Sequence, residues 1–255
     1  MSAILTVART TFRESVRNRT LLAIGLLALA FVASALLLAE LALDQRFRVI
    51  VDWGTLCVSA FGVGLAILLG VNQVHKEVRR KTLYVVLSRP IARWQYVAGK
   101  YLGLSLTLLA EAGALSAALL LLLAADGHAI PSSLGYALML SLFEMLLVAG
   151  FAVFFASFSS PYLSGLFSLG TFVIGRSLPT LSQLIDRVEW PALKAALKGA
   201  LAILPDLSRF NLSTQAVHDL PIPAEAVWLP LAYGSVYLLL LLVLSAWIFS
   251  RRDLT

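Results

Sequence analysis

The stretch VAGKYLGLSLTLLAEAGALSAALLLLLAA, residues 97–125, decides the fold. Lys100 and Glu111 are its only formal charges, and eleven leucines fall between Leu102 and Leu123. A transmembrane helix needs roughly 20 mostly apolar residues, so this run crosses a bilayer with residues to spare. It does not alternate apolar with polar in segments of about ten, as the strands of a membrane barrel do. Outward from it lie five more such runs: Leu21–Leu43, Trp53–Val74, Leu134–Phe158, Tyr162–Leu178 and Trp228–Phe249. The sequence therefore predicts an all-α integral membrane protein with six transmembrane helices, formed by residues 1–255 as a single domain.

Composition agrees. Hydrophobic residues make up 60% and charged residues 13% of the 255, against roughly 45–50% and about 25% in soluble domains. A soluble enzyme, a DNA-binding domain and a disordered tail are excluded, and the net charge of +6 does not imply a nucleic-acid partner. The one cysteine, Cys57, sits in an apolar run and can form neither an intramolecular disulfide nor a cysteine metal site. The first span is too long for the 7–15-residue core of a cleaved signal peptide and reads as an anchor.

The scarce charges set the expected orientation. Thirteen of the 20 Lys and Arg fall on one side: Arg9, Arg13, Arg17, Arg19, Lys76, Arg79, Arg80, Lys81, Arg89, Arg93, Lys100, Arg251 and Arg252. Arg46, Arg48, Arg176, Arg187, Lys194, Lys198 and Arg209 sort to the other. By the positive-inside rule both termini are cytoplasmic. Two stretches exceed minimal loops, the inner 75–96 and the outer 179–227.

Residues 1–19 read as an interfacial helix along the inner membrane surface. Ile4, Ala8, Phe12 and Val16 recur every fourth residue, and Arg9, Arg13 and Arg17 form a second row about 120° away. Arginines so placed meet anionic headgroups, each worth about 1 kcal/mol. A plain basic flank that orients the first span explains the same charges.

The inner stretch HKEVRRKTLYVVLSRPIAR, residues 75–93, followed by Gly99-Lys100, is the most specific signal. Glu77 and Lys81 form an i, i+4 pair in the favourable order. Val78, Leu83, Val86 and Leu87 give an apolar side, and Pro90 pushes Arg89 out of helical geometry. The expected product is a short amphipathic rod joined directly to two spans, so that a force on the rod moves both.

The order of Glu77, Thr82, Leu87, Ser88, Pro90, Arg93, Gly99 and Lys100 resembles the coupling segment of the permease subunit of type-2 ABC exporters. The six-span plan, the N-terminal helix and the ending Ser250-Arg251-Arg252-Asp253-Leu254 extend that resemblance over essentially the whole chain. The outer stretch, with Leu204-Pro205 and Phe210-Asn211-Leu212, is similar to the subgroup of copper-enzyme maturation and gliding-motility permeases. Lys81 stands where many relatives carry Gly. The resemblance implies a coupling segment carried by Glu77, Arg79, Arg80, Lys81, Thr82, Leu87, Pro90, Arg93 and Lys100. It also implies a multi-pass subunit of the bacterial cytoplasmic (inner) membrane, a second permease chain as partner, and ABC ATPase subunits that bind ATP and Mg.

On this chain the phosphate-loop pattern G-x-x-x-x-G-K-[ST] is absent, since Gly99-Lys100 is followed by Tyr101 and Trp94 stands where the first Gly belongs. No cofactor and no enzymatic activity are expected on it.

Glu111 and Glu144 fall mid-span, where an acid costs about 2.5–3.5 kcal/mol on insertion scales. Two readings stand: a polar pathway or proton relay, or a hydrogen-bonded lock between helices. Small residues recur at spacings of four, as Gly62, Ala66 and Gly70, as Gly99 and Gly103, and as Ser164 and Ser168, which lets helices approach closely.

In the outer stretch Trp190, Leu193, Ala196, Leu197, Leu201 and Leu204 form an apolar stripe on an expected helix ended by Leu204-Pro205. A short polar helix over 207–218 follows, and Pro221, Pro223 and Pro230 stiffen the approach to the last span. This stretch reads either as an outer gate or docking surface for an extracytoplasmic protein, or as a lid over helix ends. His128 and His218 lack companions for a metal site.

Other function classes compete with the permease. An intramembrane serine hydrolase fails because Leu163-Ser164-Gly165 lacks the G-x-S-G pattern and no histidine lies within a span to act as base. A proton-coupled secondary transporter using Glu111 and Glu144 lacks evident inverted repeats. A mechanotransmitting scaffold, which passes ATP-driven motion to an outer partner without moving a solute, shares every feature of the permease.

Overall fold

The computed structural model describes residues 3–42, 45–80 and 93–251, and the structural statements below concern these. Among them there is no strand. Helices α1 (Ala3–Val16), α2 (Arg19–Ala33) and α3 (Ala35–Glu40) precede the longest, α4 (Arg46–Arg80). Then come α5 (Arg93–Ala125), α6 (Ser132–Ala156), α7 (Pro161–Asp186) and α8 (Pro191–Ile203). A 3-10 turn at Leu207–Phe210, the short α9 (Ser213–Val217) and α10 (Glu225–Arg251) complete the chain.

Five helical segments are long and apolar enough to cross a membrane: Arg19–Glu40, Arg46–Lys76, Trp94–Ala125, Ser132–Ala156 and Glu225–Ile248. The expected fifth span, Tyr162–Leu178, lies inside α7, which has the length but is diluted by Arg176 and by its serines, threonine and glycines. α7 also continues through Pro179 to Asp186, so the outer stretch opens on further helix where a loop was expected.

The first span is one run in sequence, Arg19–Glu40, and its helix is interrupted at the single residue Ser34, between α2 and α3. The Ser34 hydroxyl donates to the Phe31 carbonyl at 2.6 Å, and the Trp53 indole N–H of α4 donates to the same carbonyl at 3.0 Å. Side chains thus compete for the helix's own acceptor at the point where the helix is interrupted.

α4 and α6 form the most extensive interface and sit at the centre. Glycine makes this approach possible. A Cβ on Gly62 would stand 2.3 Å from the Met145 side chain, and one on Gly70 would stand 2.6 Å from the Ala152 Cβ. Within a bilayer the backbone bonds are satisfied inside each helix, so packing depends on such close fits and not on an apolar preference. Around this pair lie α5, α7 and α10, with Gly150 of α6 receiving Leu238 of α10.

The N-terminal helix, expected along the inner membrane surface, is also attached to the bundle. It packs along α5, where a Cβ on Gly103 would stand 2.6 Å from the Ala8 carbonyl oxygen and one on Gly99 would stand 2.9 Å from that of Ile4. The buried row is Val7, Ala8, Thr11 and Ser15, whereas Phe12 is half-buried and Val16 exposed. The contact face is therefore rotated from the row that hydrophobicity marks, toward small residues that fit against glycine. Arg9, Arg13 and Arg17 remain exposed.

The expected polar helix over 207–218 is two pieces, the 3-10 turn and α9, separated at Asn211 and Leu212. Leu207, Phe210, Leu212 and Ala216 are all buried, wedged among α4, α6 and α7. They form an apolar plug at the end of the bundle opposite α1. α8 itself stands largely exposed, including Leu193 and Leu197, as does Trp190 just before it.

Candidate functional site

Of the residues expected in the coupling segment, Lys81, Thr82, Leu87 and Pro90 lie outside the described residues, as do the side chains of Glu77, Arg79, Arg80 and Arg93. The flanks are described. α4 runs without a break through its last apolar turns to Arg80, and α5 starts at Arg93, so the segment is strung between the ends of the two longest helices. The expectation of a separate helix opening at His75 is corrected, since residues 75–80 continue α4. No proline interrupts that helix, and no capping residue stops it at His75.

Both flanks are tied to their surroundings. His75 is buried, with Nε2 2.9 Å from the Ser159 carbonyl oxygen in the α6–α7 turn and Nδ1 3.1 Å from that of Val71. Lys76 forms an ion pair with Glu14 of α1. Gln73 donates to the Ser15 hydroxyl at 3.3 Å and accepts from Lys100 Nζ at 3.4 Å. Lys100 also lies 5.8 Å from the Tyr96 ring centroid. The ends of α1, α4 and α5 are thereby joined by polar contacts around a cavity of about 630 Å3.

At mid-depth the two acids have different settings. Glu144 on α6 is fully buried, and its Oε2 lies 3.5 Å from Arg176 Nη1 on α7. The same Arg176 nitrogen donates to the Ser59 hydroxyl of α4 at 2.7 Å, and its guanidinium lies over the Phe172 ring. The second carboxylate oxygen of Glu144 has no hydrogen-bond partner among the described residues. Three helices thus meet at one ion pair beside a cavity of about 340 Å3 bounded by Asp52, Ser59, Ser141, Arg176 and Asn211.

Sorting by loops sent Arg176 to the outer surface; the structure puts it between helices. A sequence signal existed. Glu144 precedes Ser160 by sixteen residues and Arg176 follows it by sixteen, so a tight helical hairpin at 159–161 brings the two to equal depth.

Glu111 on α5 is not brought together with Glu144. It faces α2, where a Cβ on Gly25 would stand 2.6 Å from its Oε1, and it has no hydrogen bond or ion pair among the described residues. It lines an apolar crevice of about 270 Å3 with Leu22, Leu26, Ala110 and Ala114.

The far end of the bundle is held by Arg46. Its guanidinium donates to Asp126 at 3.0 and 3.4 Å and to Glu40 at 2.9 Å, clasping the ends of α3, α4 and α5 together. On the outer stretch, Lys198 and Lys194 of α8 reach Asp186 at 2.8 and 3.2 Å, and their hydrogen bonds hold that carboxyl below its ordinary range. Among the described residues no three His, Cys, Asp or Glu side chains are grouped as metal ligands are.

A sequence model of the family described as "ABC-2 family transporter protein" matches residues 5–254. No curated protein matches the chain.

Proposed function

The chain belongs to the ABC-2 family of transporter proteins and is a membrane permease subunit of an ABC transporter, and from that premise we propose how it is driven. Family membership implies association with ABC ATPase subunits. In our reading, those subunits bind ATP and Mg, dock on the segment around residues 75–96, and push it as they close. The permease exports its substrate across the cytoplasmic membrane as one of two paired chains. α7 crosses the membrane as a sixth span, and both termini lie on the cytoplasmic side, which the basic end carrying α1 faces.

The observation that carries this reading is the position of the segment between α4 and α5. α4 is half of the central α4–α6 interface, and α5 carries α1 along its length. A push on the connection between them therefore reaches the middle of the bundle through one helix and its rim through the other. The Lys76–Glu14 pair and the Lys100–Gln73–Ser15 chain link those two helices to α1, so the three ends move together. The fixed Glu144–Arg176 pair supports a helix-locking role for Glu144 over that of a proton carrier.

The test is co-purification of the partner ATPase with a permease carrying charge reversals at Arg79, Arg80 and Arg93. Retained membrane insertion with at least tenfold less bound ATPase is expected. Full ATPase binding by the triple variant rejects the coupling assignment.

A further inference from the structure

We propose that the cavity at the α1 end of the bundle and the apolar crevice beside it together hold one anionic phospholipid, its phosphate in the cavity and an acyl chain along the crevice. This inference is independent of what the transporter moves. The cavity, about 630 Å3, is lined by Arg17, Arg19, Lys76 and Lys100, with Glu14 the only carboxylate on its wall among the described residues. Glu14 is engaged by Lys76, and Lys100 by Gln73. Arg17 and Arg19 have no acidic partner among the described residues, so the wall carries a surplus of positive charge that one phosphodiester complements.

The height of the cavity fits a headgroup. Arg19 opens the first apolar span and Lys76 closes the second, so both mark the level at which hydrocarbon gives way to the polar layer. From that level the crevice descends between α2 and α5. Ser15 lines both spaces, so the polar cavity and the apolar crevice meet at that residue. The crevice wall is mostly apolar, with Leu22, Gly25, Leu26, Ala110, Ala114 and Leu115 beside the polar Ser15, Thr107 and Glu111, a surface that suits an acyl chain and presents no cation to a free anion. A polar chamber rich in cations, continuous with an apolar slot at membrane depth, has the two-part chemistry of an anionic phospholipid.

The test uses the full chain, extracted from vesicles containing equal amounts of phosphatidylglycerol and phosphatidylcholine, with retained lipid counted by native mass spectrometry. One phosphatidylglycerol per chain is expected, in clear excess over phosphatidylcholine. Arg17→Gln with Arg19→Gln should lower its retention roughly tenfold. Ala110→Trp, at an exposed position on α5, should lower it by filling the slot. Arg9→Gln with Arg13→Gln, on the exposed face of α1 away from the cavity, should leave it unchanged.

Equal retention of the two lipids overturns the proposal, as does an equal loss in the Arg9/Arg13 variant, which indicates diffuse attraction to the helix. Unchanged retention in Ala110→Trp overturns the acyl slot. In a companion thermal-unfolding measurement, phosphatidylglycerol should raise the midpoint where inorganic phosphate at the same concentration does not; equal protection by phosphate also rejects the lipid.

Discussion

Glu144 and Glu111 stand in the middle of neighbouring helices, in similar apolar sequence, yet one lies inside a three-helix junction and the other in a crevice between α2 and α5. Insertion cost alone treats them alike. What separates them is the partner: Arg176, held by Ser59, reaches Glu144, whereas Glu111 faces Gly25 and the apolar crevice. An acid in a membrane helix is therefore classified by what the next helix places at the same depth, and not by its own position.

The strongest way to break this comparison is Arg176→Ala. It leaves Glu144 fully buried without its cation, and removal of one member of a buried pair typically costs about 3–5 kcal/mol. A large fall in the thermal midpoint of the detergent-solubilised chain is expected, with partial recovery when Glu144→Gln is added. If the single variant melts as the parent does, the junction is not a lock.

A middle-sized effect is expected in the other region from Gly103→Leu, which drives a side chain into the Ala8 carbonyl and Thr11. Overpacking of this kind costs about 1–3 kcal/mol. Detachment of α1 should show as new protease cleavage between residues 3 and 18, with the rest of the bundle protected. The smallest effect belongs to Glu111→Gln, which has no ion pair or hydrogen bond to lose among the described residues. Its midpoint should stay within the equivalent of roughly 0.5 kcal/mol of the parent; a drop as large as that of Arg176→Ala would erase the distinction between the two acids.

Much of this was legible in the residues. The long apolar runs predict the helices, and the rows Gly62–Gly70 and Gly99–Gly103 mark the two most extensive interfaces, although not which helix each receives. Three features were hidden, each for a physical reason. Assigning cations to loops assumes that every arginine reaches water, and Arg176 instead satisfies Glu144. Reading α1 by hydrophobicity favours Phe12 and Val16, whereas docking on a glycine face favours Thr11 and Ser15, because fit matters more than apolarity between membrane helices. The outer residues 207–218 look polar on average, yet Leu207, Phe210, Leu212 and Ala216 are the ones that turn inward. An average over a short segment cannot register four anchors.

α4 carries a mechanical consequence. At 35 residues in a single helix it is about 52 Å long, well beyond a hydrocarbon core of about 30 Å. Its middle is pinned against α6 at Gly62 and Gly70, and its far tip is gripped through Arg46 by Glu40 and Asp126. Such a rod is a lever with its fulcrum inside the membrane. In the proposed coupling, a sideways push at Arg80 is carried past that fulcrum and loads the Arg46 clasp at the other end of the rod.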